Sequence, residues 1–347
     1  MTHPVHTPVV AADGGLIRFA LADLLVGRAT TMRVELSDAG AAEPWLTRLV
    51  GAEASLAALA QGHADLPARP ELGRLALLLW LRRWWPAGPS LGVPSLDPAL
   101  LDLETAVATA DVEDLAEGLL DGFEASPAEL FDAAVADGAL LAAAGPVADD
   151  VRGLCTRFAA WFDDQDDVVR AEVAARVETP APSQNAYALA AGLEPVAPGE
   201  GVLASGRASV DWARVPPGIL DAGEDTVSWR IVAAAAATRL EVVVAGAFAD
   251  AAISAFASHE GEPFAEVPLE LGAGRFSGTT DLDDAAARLA ARVPPGQIAV
   301  VVGVANESVA GTTAEDRAEV VALVRARPPE LRTLAERAAA ASADEEF

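Results

Sequence analysis

The sequence has no lysine, so all 24 of its basic residues are arginine. The usual phosphate-binding P-loop, a pyridoxal enzyme and a protein kinase each need a particular lysine for their chemistry. The absence of lysine therefore excludes all three classes. Aromatic residues are also scarce, at 5% of the chain, while 52% of the residues are hydrophobic. We therefore expect a folded protein whose core is built mainly from alanine, leucine and valine.

Cysteine is nearly absent too, since Cys155 is the only one in 347 residues. A single cysteine forms no intrachain disulfide, no thiolate zinc site and no redox pair, which indicates a reducing compartment. Residues 1–15 lack the basic and apolar regions of a signal peptide. The strongest apolar run, residues 75–81, is far shorter than the roughly 20 residues of a membrane span. We predict a cytoplasmic protein without a membrane partner.

Acidic residues outnumber basic ones by 52 to 24, which gives a net charge of −28 and an isoelectric point near 4.3. Such a charge repels the phosphate backbone of nucleic acids and anionic lipid surfaces. We therefore predict no nucleic-acid partner. The abundance of alanine, arginine and glycine together with the absence of lysine resembles the composition of actinobacterial proteins from GC-rich genomes.

The first half of the chain has mainly helical periodicity. Only residues 31–36 alternate as a strand does, with Met32, Val34 and Leu36 on one face. We predict a mainly α-helical domain over residues 1–178, in which Ser126 and Glu129 form a capping box and Cys155 lies in the core. The predicted helices begin at Glu43 and continue over residues 70–85, 98–110, 112–120, 127–144 and 148–176.

The second half changes to the period-2 alternation of β-strands. Residues 179–206 are rich in proline, glycine and alanine and are predicted to be a linker. About seven strands follow over residues 207–305, and helices over residues 306–347 end the chain. The fold class predicted is thus α+β multidomain.

The strand pattern of residues 208–305 resembles an immunoglobulin-like or fibronectin type III β-sandwich. The alternative is a small α/β domain in which residues 248–257 form a helix. The sandwich is preferred because Glu266 and Glu270 alternate with apolar neighbours, whereas a parallel strand covered on both faces is continuously apolar.

Two glycine-containing motifs suggest enzymatic or nucleotide chemistry. Residues 88–92, Gly-Pro-Ser-Leu-Gly, match the G-x-S-x-G pattern of a serine hydrolase, in which Ser90 would act with His259. Gly272, Gly274 and Gly278 partly match a dinucleotide-binding pattern. Neither motif has the expected strand-to-helix context, so the hydrolase and the nucleotide-binding α/β domain are kept as alternatives only.

A non-catalytic adaptor that binds other proteins is the preferred function, within a bacterial multi-protein system such as defence or signalling. No catalytic residue, cofactor or metal ligand is predicted, and the partner is another protein. Tryptophan and arginine are enriched among the energetic anchors of interfaces. The candidate interface is therefore the helix end formed by Trp80, Arg82, Arg83, Trp84 and Trp85, although packing of these tryptophans in the core is the simpler interpretation.

Overall fold

In a computed structural model, the chain divides by its contacts into two compact units. The first unit comprises Met1–Arg83, Leu96–Gln184 and Ala322–Phe347, and the second comprises Trp84–Ser95 and Asn185–Val321. The structure describes residues 3–121, 123, 125–136, 140, 144–177, 201–216, 218–233, 237–246, 251–272, 274–303 and 311–345.

The first unit contains a four-stranded antiparallel sheet as well as helices. Its strands are β1 (Val9–Ala12), β2 (Gly15–Arg18), β3 (Thr31–Leu36) and β4 (His63–Pro67), in that spatial order. Sequence alternation predicted only β3. The strands β1 and β2 have four residues each, which is too short for a recognisable period.

Nine helices that belong wholly or largely to the first unit are described. They are α1 (Leu21–Leu25), α2 (Ala39–Val50), α3 (Ala52–Gln61), α4 (Pro70–Trp84), α5 (Pro98–Leu115), α6 (Pro127–Val135), α7 (Ala148–Asp164), α8 (Val168–Ala175) and α11 (Leu334–Glu345). The helix α5 is buried along most of its length. It runs through the break predicted between residues 98–110 and 112–120 but ends at Leu115, so the helix predicted for residues 116–120 is wrong. The predicted capping box of Ser126 and Glu129 is confirmed.

The helix predicted over residues 148–176 is interrupted where the acidic stretch lies. Asp166 has a φ angle of 59° and lies in the turn between α7 and α8. Phe131, Phe158 and Phe162 pack together, with the rings of Phe158 and Phe162 centred 4.9 Å apart. Cys155 is buried on the same helix, as predicted, and burial raises the pKa of its thiol to about 11.

The second unit is dominated by one seven-stranded antiparallel sheet. Its strands are β5 (Val202–Ala208), β6 (Val227–Ala233), β7 (Thr238–Ala245), β8 (Ile253–His259), β9 (Glu262–Gly272), β10 (Arg275–Leu282) and β11 (Ile298–Gly303). Their spatial order is β11-β8-β9-β10-β7-β6-β5. The helix α9 (Asp284–Ala290) precedes β11, and α10 (Ala314–Arg325) runs from the second unit into residues of the first.

The topology does not confirm an immunoglobulin-like sandwich. A sandwich needs two sheets packed face to face, whereas these seven strands hydrogen-bond into one sheet. The outermost strands β5 and β11 approach each other, so the sheet is nearly barrel-like. The α/β alternative is also wrong, because residues 253–257 lie in strand β8 and every strand pair among the described residues is antiparallel.

Alternate residues along most of the strands are buried, and these residues form the core of the second unit. Val227, Trp229 and Ile231 of β6 point inward together, as do alternate residues of β7. Gly206 of β5 lies against the Trp229 ring, where a Cβ atom would be 2.6 Å from Cζ2. The strand β5 begins within the predicted linker 179–206, of which residues 179–200 lie outside the described residues. The predicted boundaries at residues 178, 206 and 305 stay a prediction.

Candidate functional site

Two of the three tryptophans of the predicted interface, Trp80 and Trp85, are buried. Trp80 is 2% exposed and its Nε1 donates to the Val5 carbonyl at 2.7 Å. Trp85 is 8% exposed and donates to the Pro94 carbonyl at 2.8 Å. Arg82 is ion-paired with Asp102 at 2.9 Å.

Arg83 and Trp84 are half-buried. If this segment binds a partner, these two residues and Arg82 supply the contact area, because Trp80 and Trp85 pack inside their own units. The interface itself stays a prediction.

Ser90 occupies a structural position in the second unit. Its Oγ donates to Asp221 Oδ1 at 3.0 Å, and the same oxygen accepts from the Gly223 backbone N–H at 2.9 Å. The His259 ring is instead within 3.2 Å of the Gln297 carbonyl oxygen. The structure therefore does not pair Ser90 with His259.

The glycines of the G-x-S-x-G motif have local explanations. A Cβ atom at Gly88 would lie 2.2 Å from Asp221 Oδ1, so only glycine permits this approach. Gly92 has a φ angle of 60° after the short 3-10 turn Pro89–Leu91, in the left-handed region that favours glycine. The motif thus attaches one loop to the Asp221 carboxylate and does not form a strand-to-helix nucleophile turn.

The glycines of the predicted nucleotide site lie in a β-hairpin. Gly272 ends β9, and Gly274, with φ 72°, precedes β10. Gly278 lies within β10, where a Cβ atom would be 2.1 Å from the Pro268 carbonyl oxygen. The chain passes from strand to strand here, whereas a phosphate loop leads from a strand into a helix N-terminus.

An exposed apolar surface on α8 was not predicted from the sequence. Val168, Val169 and Val173 are 61%, 75% and 43% exposed, whereas Ala171 and Ala174 form the inward side of this helix. We call the three valines the valine face. The larger apolar side chains of this helix face outward and the alanines face inward, which is the opposite of the usual arrangement. A helical wheel of residues 168–175 would have revealed it.

Acidic groups surround the valine face. Asp163, Asp164 and Asp166 are exposed just before α8 begins. Arg170, the basic residue within α8, is bound to both Asp132 and Asp167, at 2.8 and 2.6 Å. The valine face is therefore an apolar surface that is bordered by net negative charge.

A cavity of about 490 Å³ lies within the first unit. Its apolar wall includes Phe19, Leu24, Leu77, Leu78 and Leu331, and its charged lining residues are Arg69, Arg74, Arg327, Arg332, Glu104 and Glu330. Four of these six charged residues are arginine, in a chain whose acidic residues outnumber arginine by about two to one.

Two buried ionic groups form part of the cavity wall. The Glu104 side chain is 2% exposed, and its oxygens accept from Arg74 at 3.4 Å and from the Ala335 backbone N–H at 3.2 Å. Burial raises the pKa of Glu104, and its hydrogen bonds to the start of α11 and the Arg74 charge oppose this shift.

Arg327 is also 2% exposed. Its Nη1 donates to Glu336 at 2.6 Å and its Nη2 to the Leu331 carbonyl at 2.5 Å. The Nε–H group of Arg327 has no acceptor within the part of the chain that the structure describes. Burial lowers the pKa of Arg327, and the neighbouring Glu336 carboxylate opposes that shift.

Glu336 also accepts from the backbone N–H and the hydroxyl of Thr333. The pair forms a capping box at the start of α11. The spacing of Thr333 and Glu336 was the one sequence signal that could have located this cluster.

Neither a metal-binding cluster nor a membrane-spanning helix is found among the described residues. No group of three or more histidine, cysteine, aspartate or glutamate residues is placed there to hold a metal ion. None of the described helices combines the length and hydropathy of a membrane span. Comparisons with protein-family models, curated proteins and solved structures gave no match to this chain.

Proposed function

We propose that this chain is a non-catalytic adaptor that binds another protein, within a bacterial multi-protein system. The observation that carries the proposal is the valine face of α8. Single exposed apolar residues are common, but three large ones within six positions of one helix present a local apolar surface. Apolar groups surrounded by charged residues are the usual anatomy of a protein interface.

The charge around the valine face specifies the partner. Asp163, Asp164 and Asp166 are exposed beside it, and Arg170 is already neutralised by two aspartates. Electrostatic complementarity speeds association and disfavours wrong partners. We therefore propose a partner whose surface has an apolar centre and a basic rim.

The alternatives have less support. A hydrolase would need Ser90 activated by a base, but its hydroxyl is bound to Asp221, and His259 is bound elsewhere. A nucleotide-binding domain would need a phosphate loop at Gly272 and Gly274, which lie in a hairpin. Of the two, the hydrolase predicts an esterase or peptidase activity that is lost in Ser90→Ala.

The test measures binding of the full-length chain to the purified products of its neighbouring genes by surface plasmon resonance. The variant combines Val169→Ser with Val173→Ser. We expect at least one product to bind, the double variant to raise its Kd about tenfold or more, and added salt to weaken binding. The melting temperature should stay nearly unchanged because both side chains are exposed.

Leu56→Ser is the matched control, since Leu56 is 64% exposed on α3 in the same unit. The control should bind as the unmodified chain does. A further variant, Arg83→Ala with Trp84→Ala, tests the segment predicted from the sequence. If it abolishes binding while the valine variant does not, the valine face is rejected in favour of that segment. If no product binds, the adaptor proposal fails.

A further inference from the structure

The geometry points to the cavity of the first unit as a binding site for a small organic carboxylate with an apolar body. The inference does not depend on the adaptor proposal, because none of the cavity residues belongs to α8. A volume of about 490 Å³ falls within the range of about 300–1,000 Å³ of small-molecule sites.

The charge of the cavity wall favours an anion. Arg332 is partly exposed, and no described carboxylate pairs with it. Arg69 donates to the Leu49 carbonyl at 2.7 Å, which leaves its positive charge without a described counterion. Arg74 contacts Glu104 only at 3.4 Å. The cavity therefore has positive charge that its own carboxylates do not neutralise.

Arg327 supplies a second, independent observation. Its side chain is 98% buried in the cavity wall, and its Nε–H has no acceptor among the described residues. Buried donors without acceptors are rare in folded proteins, and an additional bonded group is a usual explanation. A carboxylate matches the fork of a guanidinium better than a spherical ion does.

The remaining wall determines the rest of the ligand. Phe19, Leu77 and Leu78 provide apolar contact for a hydrocarbon body. Glu104 and Glu330 lie in the same cavity and repel additional negative charge. A monoanionic carboxylate therefore fits better than a phosphate dianion.

The experiment titrates the full-length chain with three probes that share one apolar tail: hexanoate, 1-hexanol and hexyl phosphate. Binding is measured by ligand-observed NMR at neutral pH. We expect hexanoate to bind at least about tenfold more tightly than hexanol and more tightly than hexyl phosphate. The bulkier acid 4-phenylbutanoate is titrated as well.

Arg332→Gln should remove the advantage of hexanoate over hexanol, because it removes the unpaired charge. Arg288→Gln is the matched control, since it removes the same charge from an exposed position in the second unit and should change nothing. Ala68→Leu keeps every charge but narrows the cavity, so it should weaken hexanoate and hexanol alike. Circular dichroism of each variant verifies that it is folded.

Four outcomes would overturn the inference. Hexanoate and 4-phenylbutanoate could both fail to bind. Hexanoate could bind no better than hexanol, or equally well to Arg332→Gln and the unmodified chain. Tighter binding of hexyl phosphate than of hexanoate would reject a carboxylate in favour of a phosphate ligand.

Discussion

Two buried arginines, one in each unit, are bound in different ways. In the second unit, Arg317 donates from Nε and Nη2 to the two oxygens of Glu224, at 2.6 and 2.8 Å, and from Nη1 to the Thr312 carbonyl at 2.7 Å. In the first unit, Arg327 donates from both Nη atoms, but its Nε has no described acceptor.

The carboxylate partners differ as well. Glu224 is 49% exposed, whereas Glu336 is 4% exposed. Glu224 is half exposed to water and binds Arg317 through both oxygens, so this pair needs no further ligand. The structure of the second unit therefore accounts for the hydrogen bonds of Arg317. The buried pair of Arg327 and Glu336 lies next to a cavity and leaves the Arg327 Nε–H without a described acceptor. Because a buried ion pair is weak evidence of a gain in stability, stability alone does not account for this pair.

The largest effect is expected from Glu336→Ala. It leaves the Arg327 charge buried without a counterion and removes the cap of α11. Breaking a buried pair in this way costs about 3–5 kcal/mol, to be measured by urea unfolding. Glu172→Ala, which breaks an exposed pair with Arg176, is the control and should cost about 0.5 kcal/mol or less. A loss below about 1 kcal/mol for Glu336→Ala would mean that water reaches the Arg327 cluster.

Glu224→Ala should cost less, about 1–2 kcal/mol, although it breaks two short hydrogen bonds. The reason is that water can replace the half-exposed carboxylate. Ser209→Ala removes the contact of Ser209 to Glu224 and the hydrogen bond that its Oγ accepts from the Asp225 backbone N–H. It should cost about 1 kcal/mol or less, because both bonds are exposed to water. Equal losses for Glu224→Ala and Glu336→Ala would remove the contrast between the two units.

The pH dependence should have opposite signs at Glu104 and Glu224. Burial raises the pKa of Glu104, so the folded chain binds more protons than the unfolded chain above the ordinary value of 4.5. The contribution of Glu104 to stability therefore falls as the pH rises from 4.5 through its raised pKa. Glu104→Gln should remove this decline, as measured by urea unfolding across that range.

Hydrogen bonding by Arg317 lowers the pKa of Glu224, so its contribution is present above pH 4.5 and is lost as the pH falls through the lowered pKa. Glu224→Gln should remove that acid-side loss. If the stability contributions of Glu104 and Glu224 changed with pH in the same direction, the opposite pKa shifts of the two residues would be contradicted.

A small effect is also expected from Ser90→Ala in the second unit. It removes one hydrogen bond from an exposed hydroxyl to Asp221, which should cost about 0.5–1 kcal/mol in thermal unfolding. Asp221 keeps its bond to the Gly223 N–H. An esterase or peptidase activity that disappears in Ser90→Ala would instead restore the hydrolase alternative.

Local features of the fold were predictable because neighbouring residues produce them. The capping box at Ser126, the turn at Asp166 and the burial of Cys155 depend on residues within a turn or two of the same helix. Three of the strands predicted over residues 207–305 appear as β8, β9 and β10 for the same reason. Hydrophobic period and turn residues are properties of short segments.

The arrangement of those segments was decided only by the tertiary structure. Alternation identifies strands but does not say whether they form two sheets or one, and here β10 joins β7 so that all seven strands form a single sheet. Glu104 and Ala335 are hydrogen-bonded across 231 positions of sequence. The cavity and its arginines arise from such distant contacts, because burial and ion pairing depend on what packs nearby and not on sequence spacing.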